Sequence, residues 1–111
     1  MFGLFGRGTV RDLTPEEVAQ GLAGDEILLI DVREPNETAG ERISGAVLVP
    51  LSQFDPLDLP DPRGRMVVFT CASGIRSIKA AEIAQAAGLA FDGHLAGGIK
   101  AWKAAGFPIE T

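Results

Sequence analysis

Short apolar runs and stretches of helical spacing alternate along this chain. Ile27-Leu28-Leu29-Ile30 is a continuous apolar run, the form expected of a strand buried on both faces of a parallel sheet. It closes on Asp31, a polar residue where such a strand would emerge. Ala46-Val47-Leu48-Val49 is a second run, stopped by Pro50. Met66-Val67-Val68-Phe69 is a third, and it leads through Thr70 into Cys71. Phe91 to Leu95 is a weaker strand candidate, because Asp92 and Gly93 dilute it.

Helical spacing occupies the intervals. Thr14-Pro15-Glu16-Glu17 combines a capping residue, a proline at the first helical position and a glutamate placed to close a capping box. Val18, Ala19 and Leu22 then share a face, and Gly24 ends the helix. Ser77 to Ala87 reads as a second helix, with Ala80, Ile83, Ala84 and Ala87 on its apolar face and Lys79, Glu82 and Gln85 on its polar edge. Gly88 follows where a left-handed cap is expected. Gly98 to Ala105 reads as a last helix carrying Trp102, a core-packing residue, with Gly106 ending it. Pro50 to Arg65, with four prolines and three aspartates, reads as a connecting loop with one short helical turn near Ser52.

This alternation predicts βα units and an α/β fold. With 111 residues, one domain is the expectation, here residues 9–111 after a flexible N-terminus at 1–8. Net charge is −5, which argues against a nucleic-acid surface. No apolar run approaches the roughly 20 residues of a membrane-spanning helix. A single cysteine rules out an intramolecular disulfide and fits a reducing compartment, so a cytoplasmic location is expected.

That cysteine lies in Val67-Val68-Phe69-Thr70-Cys71-Ala72-Ser73-Gly74-Ile75-Arg76-Ser77, where a buried strand gives way to a short loop and then a helix. Backbone N–H groups in such a loop can converge on one point, and the helix start adds positive partial charge. A thiol held there ionises more easily than a free one, and the thiolate is the nucleophile. Ala72, Ser73 and Gly74 are small enough for the tight curvature this needs. An incoming anion would meet both the N–H groups and the Arg76 guanidinium. A lone cysteine ending a buried strand is otherwise just a small core hydrophobe; the loop composition, the following helix and Arg76 are what set this one apart. Four residues separate Cys71 from Arg76. Protein tyrosine phosphatases separate theirs by five, a wider cradle for a tetrahedral phosphate, and the shorter loop suits a smaller terminal group.

Four segments in order resemble the rhodanese family: Leu29-Ile30-Asp31-Val32-Arg33-Glu34-Pro35, Ile43 to Pro50, the loop from Cys71 to Ser77, and Leu95-Ala96-Gly97-Gly98-Ile99-Lys100-Ala101-Trp102 followed by Gly106-Phe107-Pro108. The resemblance implies a rhodanese-like five-stranded, mostly parallel sheet with helices on both faces. It implies a sulfurtransferase in which Cys71 takes a sulfane sulfur from a donor anion such as thiosulfate. The resulting persulfide passes its sulfur to cyanide or a cellular thiol. Ala72, Ser73, Gly74, Ile75 and Arg76 would hold the donor and the persulfide. No metal or organic cofactor is implied; a sulfur-relay protein is a further candidate partner. The alternatives are a non-catalytic binding or sulfur-carrier module of the same fold and, more distantly, a phosphatase or arsenate reductase. Ala72 stands where relatives often carry arginine, which removes a positive charge from the cradle. Arg42 stands where histidine is common, and Ile75 makes the rim apolar.

At the end of the first apolar run, Asp31 and Arg33 are expected to brace the Cys71 loop, since strand C-terminal ends line the functional crevice of an open α/β sheet. His94, the one histidine, is expected at the surface or a sheet edge. Glu34, Glu37 and Glu41 are expected to form a solvated face.

Overall fold

The computed structural model describes residues 9–111; the expected flexible segment, 1–8, lies outside them. Five strands, β1 (Arg11–Leu13), β2 (Ile27–Asp31), β3 (Val47–Leu48), β4 (Met66–Thr70) and β5 (Gly93–Leu95), form one sheet in the order β1-β5-β4-β2-β3. All four pairings are parallel. The helices are α1 (Pro15–Ala23), α2 (Pro35–Gly40), α3 (Arg76–Ala86) and α4 (Gly98–Ala104). The loop between β3 and β4 carries two 3-10 turns, Leu51–Gln53 near the expected position and Pro56–Asp58 beyond it.

The capping box of α1 forms as its sequence requires: the Glu17 N–H donates to Thr14 Oγ1 at 3.1 Å, and the Thr14 N–H donates to the Glu17 carboxylate at 2.9 Å. The β2 and β4 runs are central and pair over their full length, Ile27 with Met66 through to Asp31 with Thr70. Side chains alternate across the sheet. Ile27, Leu29, Val68 and Leu95 point to a core shared with Val18 of α1 and with Ile99 and Trp102 of α4. Leu28, Ile30, Val67 and Phe69 point to the other core, against Ala80, Ala81 and Ala84 of α3. Trp102 is buried as expected, its Nε1–H donating to the Pro108 carbonyl at 2.8 Å.

Three sequence expectations change. The Ala46–Val49 run yields only a two-residue edge strand, with Val47 and Leu48 37% and 38% exposed, because among the described residues its outer side has no further strand to pair with. Strand β1 has no apolar run; its pairing to β5 makes it a strand. Helix α2 has only six residues and starts with a second capping box, in which the Glu34 N–H donates to the Glu37 carboxylate at 2.9 Å.

Candidate active site

Strand β4 delivers Cys71 to the C-terminal edge of the sheet, and α3 starts at Arg76, one residue earlier than the sequence indicated. Residues 72–75 therefore form a loop between a fixed strand and a fixed helix. The Cys71 Sγ sits inside it, accepting hydrogen bonds from the Gly74 N–H at 3.1 Å and the Ser77 N–H at 3.3 Å. The Ser77 hydroxyl lies 3.5 Å from the same sulfur. Cys71 is only 1% exposed.

Burial pushes this thiol toward a higher pKa. The hydrogen bonds from the Ser77 hydroxyl and from the N–H groups of Ser77, Gly74 and Ser73 outweigh it, so the thiol ionises below its ordinary range. This is the electrostatic setting that makes a cysteine nucleophilic.

The loop has a floor. The Ile99 N–H donates to the Cys71 carbonyl at 2.9 Å, and the Lys100 N–H to the Ala72 carbonyl at 3.1 Å. This approach requires Gly98: a Cβ there would overlap the Cys71 carbonyl oxygen and lie 2.7 Å from the Ala72 carbonyl carbon, and its φ is +62°. Gly74, with φ +100°, faces the same turn, where a Cβ would lie 2.9 Å from the Gly97 nitrogen. The Gly97-Gly98 pair is thus a contact surface for the cysteine loop.

Arg76 stands at the start of α3 with its guanidinium in a two-pronged pair with Glu37, at 2.7 and 2.9 Å. The Arg76 hydrogen bonds hold the Glu37 carboxyl down at a pKa of about 2 against the opposing effect of burial, and Glu37 in turn raises Arg76. The acidic residues expected as a solvated face are all partnered: Glu34 accepts from the Ser52 hydroxyl at 2.7 Å and Glu41 from the Lys103 ammonium at 2.8 Å. All three are half-buried, each turned toward a partner on a neighbouring segment.

Asp31 and Arg33 form a buried ion pair at 2.9 Å, with side chains 3% and 4% exposed. Arg33 also donates to the Glu41 carbonyl just past α2, at 2.9 Å. Asp31 is the register partner of Thr70, the residue before Cys71, and the Val32 N–H donates to the Thr70 carbonyl at 2.9 Å. The pair thus ties the ends of β2 and α2 together, and α2 carries the Glu37 that holds Arg76. At the rim, Ile75 is 76% exposed and Ser73 is also exposed, while Gly74 is buried.

His94 corrects the sequence reading outright. It is 2% exposed, and its Nδ1 lies 2.9 Å from the Ser77 hydroxyl that touches Cys71 Sγ. Its Nε2 lies 2.7 Å from the Asp12 carboxylate. The signal was period-2 alternation: Leu95 faces α1 and α4, so His94 must face α3. Register then brings Asp12 beside His94.

Residues 14–105 match the model of the rhodanese-like domain. A sulfurtransferase of Allochromatium vinosum is 36% identical over 102 residues, covering 90% of this chain and 94% of that protein. The uncharacterized protein slr1261 of Synechocystis is 41% identical over 96 residues, 86% of this chain. The chain spans 54% of that relative's length and 24% of the probable adenylyltransferase/sulfurtransferase MoeZ of Mycobacterium tuberculosis, to which it is 38% identical over 93 residues. Among solved structures, the single-domain sulfurtransferase RDL2 of Saccharomyces cerevisiae superposes with a TM-score of 0.75 at 28% identity, over 92% of this chain and 95% of that one. With the parallel sheet, the cysteine loop between β4 and α3 and these matches together, the chain belongs to the rhodanese-like family, and its homologues include sulfurtransferases.

Proposed function

We propose that the protein transfers sulfane sulfur through a persulfide on Cys71. The thiolate attacks the outer sulfur of a donor anion such as thiosulfate; the new S–S bond forms as the old one breaks, and sulfite leaves with its electron pair. Cyanide or a thiolate acceptor then attacks the outer sulfur of the persulfide and restores the Cys71 thiolate. Charge balances in both steps, and no oxidant or reductant enters.

The observation that carries this reading is the convergence of the Gly74 and Ser77 N–H groups and the Ser77 hydroxyl on one buried sulfur. Those donors stabilise the attacking thiolate, and the Ala72–Ile75 loop is short enough to follow the added sulfur. Arg76 is held by both oxygens of Glu37, which offsets its charge and leaves it no freedom to wrap around a phosphate. The exposed Ile75 and Ser73 offer a rim on which a sulfur-relay protein could seat its own persulfide or thiol. The fusion of sulfurtransferase and adenylyltransferase functions in the name of MoeZ fits such a relay.

Thiocyanate formation from thiosulfate and cyanide tests the reaction. Turnover is expected of the native chain, none of Cys71→Ala, and none of either on a phosphate ester. Phosphate-ester hydrolysis dependent on Cys71 would replace this reading by a phosphatase.

A further inference from the structure

Through the Ser77 hydroxyl, Cys71 is linked to two further side chains, His94 and Asp12, that the transfer steps above do not use. Its sulfur lies 3.5 Å from Ser77 Oγ, which lies 2.9 Å from His94 Nδ1, and His94 Nε2 lies 2.7 Å from Asp12 Oδ1. Cys71, Ser77 and His94 are 1%, 0% and 2% exposed, whereas the Asp12 side chain is 74% exposed. The chain crosses from β4 through α3 and β5 to β1, so three elements contribute a polar group each to one line leading from a buried thiol to solvent.

Donor and acceptor counting allows two arrangements of its protons. An ionised Asp12 only accepts, so His94 Nε2 carries a hydrogen in both. With a neutral ring, Nδ1 is an acceptor. The single hydroxyl hydrogen of Ser77 then points to Nδ1, and the thiol keeps its own proton, donating it to Oγ. With a doubly protonated ring, Nδ1–H donates to Ser77 Oγ. The hydroxyl hydrogen is then free to point at Sγ, where it stabilises a thiolate beside the Gly74 and Ser77 N–H groups.

We infer that His94 is the store for the Cys71 proton, reached through Ser77. The S–H bond breaks with its electron pair left on sulfur, its proton adds to Ser77 Oγ, and the hydroxyl proton passes to His94 Nδ1. No net charge is made: a thiolate and an imidazolium replace a thiol and an imidazole, and Asp12 faces the cation. His94 is therefore a positioning residue that acts through Ser77. Of the charged groups on the elements packed against it, Arg11 of β1 pairs with Asp92 at 3.8 Å and Arg76 at the start of α3 is held by Glu37. Phe69 is the register neighbour of His94 on β4, so that side brings no charge. This inference rests on Cys71 being the nucleophile but not on which sulfur donor it attacks.

The test is the rate of Cys71 alkylation by iodoacetamide against pH in the full chain, His94→Asn and Asp12→Asn, with ring nitrogen NMR on histidine-labelled protein and Cys71→Ala. An opposite charge close to a titrating group moves its midpoint by about one unit or more. Alkylation of His94→Asn is thus expected to fall about tenfold at pH values below the midpoint, and that of Asp12→Asn by a smaller factor. The relay predicts nitrogen signals of a doubly protonated ring in the native chain where Cys71 reacts, and of a bare Nδ1 in Cys71→Ala at the same pH. An unchanged alkylation profile in a folded His94→Asn, or identical ring signals with and without Cys71, would overturn the relay. Should His94→Asn fail to fold, the exposed Asp12→Asn and the ring signals still decide. Neither readout involves sulfur transfer, so a failure of the persulfide chemistry stays distinguishable from a failure of the relay.

Discussion

Substituting Gly98 by alanine isolates the contact on which the cysteine loop rests. The new Cβ would overlap the Cys71 carbonyl oxygen and lie 2.7 Å from the Ala72 carbonyl carbon and oxygen, with backbone on both sides and no flexible side chain to yield. Relief requires α4 and the loop to separate, which breaks the hydrogen bonds from Ile99 and Lys100 at 2.9 and 3.1 Å. Each such bond contributes about 1 kcal/mol, and an alanine at positive φ costs about 1 kcal/mol more. The sum, about 3 kcal/mol, is a large part of the stability of a small domain. With a urea dependence of about 1.5 kcal/mol per molar, the unfolding midpoint drops by about 2 M. Gly106→Ala is the control: its φ is +86° but no atom of the described residues lies within 4 Å of the added Cβ, so only the conformational cost of about 1 kcal/mol remains. Equal midpoints for the two variants in urea unfolding would refute the claim that the glycine turn is the floor of the cysteine loop.

Other perturbations follow from the same structure. Glu37→Gln removes a carboxylate held at a pKa of about 2 instead of 4.5. Because the folded pKa is depressed, the native chain owes this stability to pH above about 4.5 and loses it as pH falls toward 2. With both side chains about a third exposed, screening leaves about 1–2 kcal/mol. Unfolding at pH 7 and pH 2.5 should thus show a native advantage over Glu37→Gln that is several-fold smaller at the lower pH; a constant difference would refute the pairing as its source. Leu29→Ala, at a fully buried position on β2, should cost about 3–5 kcal/mol in urea unfolding, and a cost under about 1 kcal/mol would mean the site collapses without a cavity. Alkylation of Cys71 should proceed at pH values where a free thiol of pKa about 8.5 is still protonated; a midpoint at or above that value would contradict the hydrogen bonding of the sulfur.

What the sequence made legible was whatever carries a strong local signal. The Ile27–Ile30 and Met66–Phe69 runs are unbroken because both strands are central, and Thr14, Pro15 and Glu17 announce α1 by their own hydrogen bonding. The cysteine loop was legible for the same reason, being contiguous in sequence. Strand β1 was not, because two of its three residues are exposed and only pairing with β5 defines it. Helix α2 was hidden because its cap is Glu34, where a serine or threonine is the usual sign. His94 was misplaced because a single histidine beside Gly93 has no motif; its role comes from register with Asp12 and from Ser77, seventeen residues back on another element. Long-range geometry of this kind leaves no local pattern to read.

The most direct test of the central claim is the intact mass of the protein after incubation with thiosulfate, beside a Cys71→Ser control. A gain of about one sulfur atom is expected on the native chain, reversed by cyanide and absent from the control. An unchanged mass with thiosulfate and with a protein-borne persulfide donor alike would contradict sulfur transfer through Cys71.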